Sequence, residues 1–205
     1  AKGDDTADDT EAIQAAIDDA NGAVVYVPPG IYRVTNLTFP PNGPFILWGD
    51  GYRSVLRATA AGDLITHNWT EGWVHWVVIC NLRLIAESGS LTKDNRALNL
   101  KSLAYPSHLM NLMIENFGQE GVVLDGCAAV ALQNISFLNC CNSLNGASSA
   151  GEAALYIKNG NGCTLINVGV HKTGNSRPSI SLSNQGMVSF LNCREESDVD
   201  NLAVK

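Results

Sequence analysis

From Val24 onward apolar and polar residues alternate with a period of two, in short runs that recur along the chain. "AVVYVPPGIYRVT" is the first, with half-buried strands predicted on both sides of a Pro-Pro-Gly turn. Further on, "NLRLIA" from Asn81, "NLMIEN" from Asn111, "NISFLN" from Asn134, "NVGVHK" from Asn167 and "MVSFLN" from Met187 align without gaps. Their second and fourth columns are apolar: Leu82, Leu112, Ile135, Val168, Val188 and Leu84, Ile114, Phe137, Val170, Phe190. A second series precedes each, with "LITHN" from Leu64, "LNLKS" from Leu98, "VVLDG" from Val122, "LYIKN" from Leu155 and "ISLSN" from Ile180, whose first and third residues are the inward candidates. A third short strand fits between the two series, marked by Ile79, Leu109, Leu132 and Leu165 two residues before each aligned Asn.

Fixed order and a spacing of roughly 24 to 34 residues are the signature of a solenoid. Such a coil cannot bury its own interior, so stacking at about 4.8 Å per coil has to build the core. The expected fold is therefore all-β, a right-handed single-stranded parallel β-helix with three strands per coil and about six or seven coils. Asn116, Asn139 and Asn192 read as a ladder at one corner, because asparagine tolerates the left-handed backbone of a tight bend.

The period changes to helical only near the start. "GDDTADDTEAIQAAI" packs four aspartates into six positions, and Ala12, Ile13, Ala16, Ile17 and Ala20 then recur on one side. Asp8 and Glu11 have the form of a capping box, the acids suit the positive end of a helix dipole, and Asn21-Gly22 supplies a stop. A helix over 8–21 is predicted to cover the raw end of the stack. Coils are predicted over 23–193 and a polar tail over 194–205, all within one domain 1–205. That tail has no amphipathic helix to close the last coil, which is expected to meet another chain or further sequence.

Composition narrows the partners. The 13 basic and 20 acidic residues give a formal charge of −7, which disfavours nucleic acid and anionic membranes. No apolar run reaches the roughly 20 residues of a membrane span. No signal peptide precedes Ala1, and an alanine start leaves the chain open as a processed, trimmed or partial one. Cys80, Cys127, Cys140, Cys141, Cys163 and Cys193 lack zinc-site spacing, and a domain this size does not need disulfide staples, so buried reduced thiols are expected. "DDTADDT" lacks the alternation of a calcium loop. Neither metal nor cofactor is expected.

The order of acidic opening, "TEAIQAAIDDA", "AVVYVPPGIYRVT" and "LWGDGYRSVLRAT" resembles the pectate-lyase-like superfamily of parallel β-helices, particularly its phage tailspike branch. Members usually read G-D-G before "DDT"; here Asp5 stands in place of the second glycine. The chain has no G-H-G of polygalacturonases, no D-P-H of alginate epimerases and no W-x-D-H of pectate lyases, so no catalytic residue carries over. "GDGY" at Gly49–Tyr52 lacks the Lys-Ser/Thr of a phosphate loop and reads as a turn.

Function has to sit on outward columns. Glu115 and His171 fall two coils apart, roughly 10 Å, near the carboxylate spacing of inverting glycosidases, and are the candidate catalytic pair. Lys101, Asp125 and Lys158 form a charge ladder of alternating sign. "NWTEGWVHW" gathers aromatics; Trp69 and Trp73 are candidates for stacking on sugars, while Trp76 is expected to point inward. Met113, Leu138 and Leu191 are the candidate subunit interface. The resemblance implies a virion or extracellular module, a rigid homotrimeric platform that contacts host or environmental polysaccharide and other virion proteins. An extracellular polysaccharide lyase or glycoside hydrolase is the alternative.

Overall fold

A computed structural model describes residues 1–20, 22–40, 44–67, 71–87, 94–141, 151–172 and 177–197. Its long sheet runs in the order Asp4–Asp8, Gly30–Val34, Ser54–Ala58, Val77–Ala86, Ser107–Glu115, Val130–Leu138, Cys163–Lys172 and Val188–Leu191. A second sheet stacks Leu37–Thr38, Gly62–His67, Asn95–Lys101, Val122–Asp125, Leu155–Lys158 and Ile180–Ser183. The third side is narrower: Val74–His75 pairs with Leu103–Ala104, and a single bridge joins Ala128 to Asn161. Every pairing is parallel, and neighbours in each sheet are one coil apart, so the chain is a parallel β-helix.

The two strands expected around each aligned asparagine are one strand with a sharp bend. Asn81, Asn111, Asn134 and Asn167 sit within the long strands at φ of 57°, 53°, 53° and 53°, a left-handed conformation that asparagine accepts at little cost. The first two coils turn the same corner with longer connections. There Val24–Val27 and Gly30–Val34 flank Pro28-Pro29, and Phe45–Gly49 and Ser54–Ala58 flank the 3-10 turn Gly51–Arg53. "GDGY" is thus a corner turn.

The interior columns stack as the alternation requires. Leu84, Ile114, Phe137 and Val170 are in register and at most 2% exposed, as are Leu82, Leu112, Ile135 and Val168. Phe190 does not join the first file. Asn192 donates to the Asn167 amide, so it is the corner asparagine of the last coil, and the residues before it belong to the pre-asparagine strand. Phe190 pairs with Leu165, Val188 with Cys163, and Glu195 takes the place beside Val170. Coiling therefore extends through Arg194–Ser197, where a tail was expected. Phe190 still faces the interior but is 43% exposed, with no further coil described beyond it.

One more register differs. Leu98 pairs with Ile65 and Leu100 with His67, a slip of one residue from the alignment on Leu64. The slip puts His67 inside at 1% exposure, with Nδ1 3.0 Å from the Lys101 carbonyl oxygen and no partner at Nε2.

The opening acids do more than start a helix. Asp4–Asp8 is a strand laid on Gly30–Val34, and the helix runs Thr10–Asp19 from an N-cap at Asp9. The capping box is not made. Asp8 instead accepts from the Thr10 backbone N–H at 2.9 Å, and the buried Asp9 carboxylate accepts from the backbone N–H groups of Lys2 at 2.5 Å and Gly3 at 3.0 Å. Ile13 and Ile17 seal the top of the core, each burial contributing about 2 kcal/mol. Gln14 clamps the helix to the first coil through both atoms of the Thr38 backbone, at 2.9 Å each. Asp5 holds the left-handed φ of 60° expected of the missing glycine, fixed by an ion pair to Arg57 at 2.7 Å.

The six cysteines form no disulfide with one another, and all but Cys193 are buried. Burial raises the Cys80 thiol to about 11 and Cys127 to about 12, so both stay protonated at neutral pH.

Candidate functional site

The face formed by the post-asparagine half of the long strands carries two outward columns in register. One runs Ile31, Val55, Arg83, Met113, Ser136, Gly169, Arg194; the other runs Arg33, Arg57, Ile85, Glu115, Leu138, His171, Glu196. Glu115 and His171 stand two coils apart in the second, as the sequence predicts. Their surroundings do not suit acid–base chemistry, however. Glu115 is 4% exposed and gripped by Arg83 through two hydrogen bonds of 2.7 and 2.8 Å. A carboxylate held this way has both oxygens engaged and is screened from a substrate. His171 lies 3.7 Å from Glu196, and both are open to solvent.

The same neutralisation recurs on this face and the next. Arg33 clamps Glu87 at 2.8 and 3.0 Å, and those hydrogen bonds hold the Glu87 carboxyl below its ordinary range. On the second sheet Arg96 bridges the buried Glu120 at 2.7 Å and Asp63 at 3.2 Å. Lys158 pairs with Asp125 at 3.3 Å, in the column with Lys101 that the sequence predicts. Among the described residues no group of three or more potential metal ligands forms.

The pre-asparagine face is chemically opposite. Its outward columns run Val24, Ile46, Val78, His108, Ala131, Thr164, Ser189 and Tyr26, Trp48, Cys80, Met110, Gln133, Ile166, Leu191. Across seven coils these fourteen positions hold no Asp, Glu, Lys or Arg. Val24, Tyr26, Trp48 and Leu191 are 54, 54, 46 and 63% exposed. The sequence groups Leu191 with Met113 and Leu138, but the structure separates them. Met113 and Leu138 lie half-buried among the charges of the post-asparagine face, and Leu191 lies across the corner on the charge-free one.

At the far edge of the charge-free face stand more aromatics. Trp73 is 54% exposed, as suits a sugar-stacking residue, whereas Trp69 lies outside the described residues. Trp76 is 60% exposed, contrary to the inward placement expected, because its φ of 64° turns the chain at the corner just before the strand from Val77. Tyr105, 68% exposed, belongs to the next coil, and its carbonyl oxygen lies 2.5 Å from His75 Nδ1. Left-handed backbone is costly for a bulky residue, so Trp76 marks a position where exposure of the ring is retained against strain.

Residues 1–194 match the family described as rhamnogalacturonase A/epimerase, pectate lyase-like. A comparison with curated proteins gives no match. Among solved structures, ORF18 of Geobacillus virus E2 superposes with a TM-score of 0.76 at 19% identity, over 94% of this chain and 40% of that one. This chain thus spans well under half of the viral protein. A putative glycosyl hydrolase from Parabacteroides merdae gives 0.71 at 13% identity, over 95% of this chain and 93% of that one. The catalytic unit of an α-1,3-glucanase from Streptomyces thermodiastaticus gives 0.53 at 20% identity, over 93% and 39%. At these identities the likeness is one of fold. Coil by coil and along nearly its whole length, the chain belongs to the pectate lyase-like rhamnogalacturonase A/epimerase family.

Proposed function

We propose that this protein is a non-catalytic β-helix module of a virion or extracellular assembly, a rigid homotrimeric platform that contacts polysaccharide. The observation that carries it is the division of the outer surface. The carboxylates best placed on the charged faces are held by arginine or lysine, while exposed aromatic rings collect on and beside a face without formal charge. Held in these ion pairs, Glu87, Glu115, Glu120 and Asp125 are not available as the carboxylate pair that cleaves a glycosidic bond. Rings with open faces are suited to stacking on pyranoses, and Trp73, Trp76 and Tyr105 supply them.

The charge-free face is where copies of the chain meet in this reading. Each copy carries −7, so a charged face would set like charges against one another, and this face avoids that cost. Seven coils at about 4.8 Å and four residues at about 3.3 Å make it roughly 30 Å by 13 Å. A parallel trimer that buried one such face per subunit along its axis would bury about 400 Å² from each, about half of the roughly 800 Å² per partner of a standard interface, so neighbouring surface has to add to the contact.

Family membership favours one other reading, that of a polysaccharide lyase or hydrolase, with the solvent-open His171 and Glu196 as its available groups. A panel of acidic and neutral polysaccharides separates the two. Co-sedimentation of the protein without reducing ends or unsaturated products is expected; turnover of any member overturns the non-catalytic reading, and failure to bind any member overturns polysaccharide contact.

A further inference from the structure

We propose that the asparagine corner of the last three coils is a binding site for a saccharide that carries a carboxylate. The site rests on the polysaccharide reading above and lies at the corner that bounds the charge-free face, on elements other than those that carry Trp73 and Trp76. A trough of about 290 Å³ runs along this corner. Its floor drops because Ser136 and Gly169 are the small members of a column that rises again at Arg194. Tyr52, 67% exposed, lines it from the corner turn of the second coil.

One wall is a row of amides. Asn192 donates to Asn167 at 2.7 Å, Asn167 to Asn134 at 3.0 Å, and Asn134 onward to Asn111 at 3.0 Å. Each NH₂ spends one hydrogen along the axis, and all three side chains are exposed, so the second hydrogen of each is available to a ligand. Stacking fixes these donors at intervals of about 4.8 Å, close to the length of one pyranose, and the three span about 10 Å.

The chemistry of the lining decides the ligand. Ser136 and Tyr52 add hydroxyls, Arg194 adds a guanidinium, and no carboxylate lines the trough. Arg194 Nε lies 3.6 Å from an oxygen of Glu196, a loose contact between side chains 77 and 59% exposed. Every other arginine on this face is clamped by a carboxylate at 2.7 or 2.8 Å. Arg194 is therefore the one cation of the described face left with a weak partner, and it stands beside a row of donors. A donor-rich trough with one available guanidinium selects a hydroxyl-rich ligand bearing a carboxylate, the pattern of an acidic sugar.

Titration calorimetry with a hyaluronan hexasaccharide and with chitohexaose, its carboxylate-free counterpart, tests this on the wild type, S136W and R194A. Ser136 and Arg194 are outward and exposed, and circular dichroism melts check that both variants fold. The acidic probe is expected to bind at least tenfold more tightly than chitohexaose, and to lose at least tenfold in both variants. Equal affinity for the two probes overturns the selection for a carboxylate. Binding that survives S136W and R194A but falls in W76A overturns the trough and leaves polysaccharide contact standing. No binding of either probe overturns the trough as well; contact itself fails only if the polysaccharide panel also gives none.

Discussion

Two neighbouring faces, divided in five of the seven coils by a single left-handed asparagine, have opposite surfaces. After the corner, Arg33, Arg57 and Arg83 neutralise Glu87, Asp5 and Glu115 with charge-assisted contacts of 2.7 or 2.8 Å. Before it, seven coils present Val24, Tyr26, Trp48, Met110 and Leu191 with no formal charge at all. Both faces are built on equally buried inward columns, so core packing does not demand the difference. A solenoid leaves outward positions free, and under the proposed function the charged face meets water and solutes while the charge-free face meets another apolar surface.

The most drastic way to break the contrast is to charge the quiet face. W48E, or Y26E, is expected to reduce the trimer to monomers by light scattering, because three like charges would be brought together at one level of the axis. S136E, placed across the corner, is expected to leave the assembly intact. Next in size is R83A, which strands the buried Glu115; between an exposed pair and a fully buried one, the loss is about 2 kcal/mol in urea unfolding. R53A removes only the exposed pair to Asp50 and is expected to cost less than about 0.5 kcal/mol.

Acid sharpens the contrast in a graded way. Burial lowers the pKa of His67, so the unfolded chain takes up its proton first, and stability falls as pH drops below about 6.5 toward the folded value. Glu87, Asp8 and Asp4 are also lowered, by hydrogen bonds from Arg33, from Thr10 and from the Ala7 and Thr6 backbone respectively. Their contribution is present above the ordinary carboxylate range and is lost as pH falls through it. Thermal melts from pH 8 to pH 3 are thus expected to show two successive declines, and H67F is expected to remove the first. The corner itself contributes less than the Arg83 pair: N134A is expected to cost about 1 kcal/mol for a left-handed alanine, and N134G a few tenths.

The sequence shows the coils where one asparagine makes the corner, since apolar alternation then keeps its register from Val77 through Lys172. It misleads where a local cassette is reused. "SFLNC" occurs at Ser136–Cys140 and again at Ser189–Cys193, yet at different corners. In both copies a left-handed asparagine is followed by a cysteine whose thiol contacts a carbonyl one coil back, Cys140 to Ile114 and Cys193 to Leu165. The cassette encodes a bend, not which bend, and so alignment on it sets Phe190 one strand too late. At Leu64-Ile65 both residues are buried, so alternation could not choose between two registers one residue apart. The charge-free face was hidden for a different reason. Tyr26 and Trp48 lie in coils whose corners are Pro28-Pro29 and Gly51–Arg53, with no asparagine to align them to Cys80 and Met110. The trough is likewise invisible without coordinates, because Tyr52 reaches it from another coil.

Sedimentation equilibrium of the unmodified protein at micromolar concentration tests most directly whether the quiet face joins copies of this chain. A single species near three times the 21.8 kDa chain mass is the expected result. A monomer of 21.8 kDa that persists as concentration rises would contradict it.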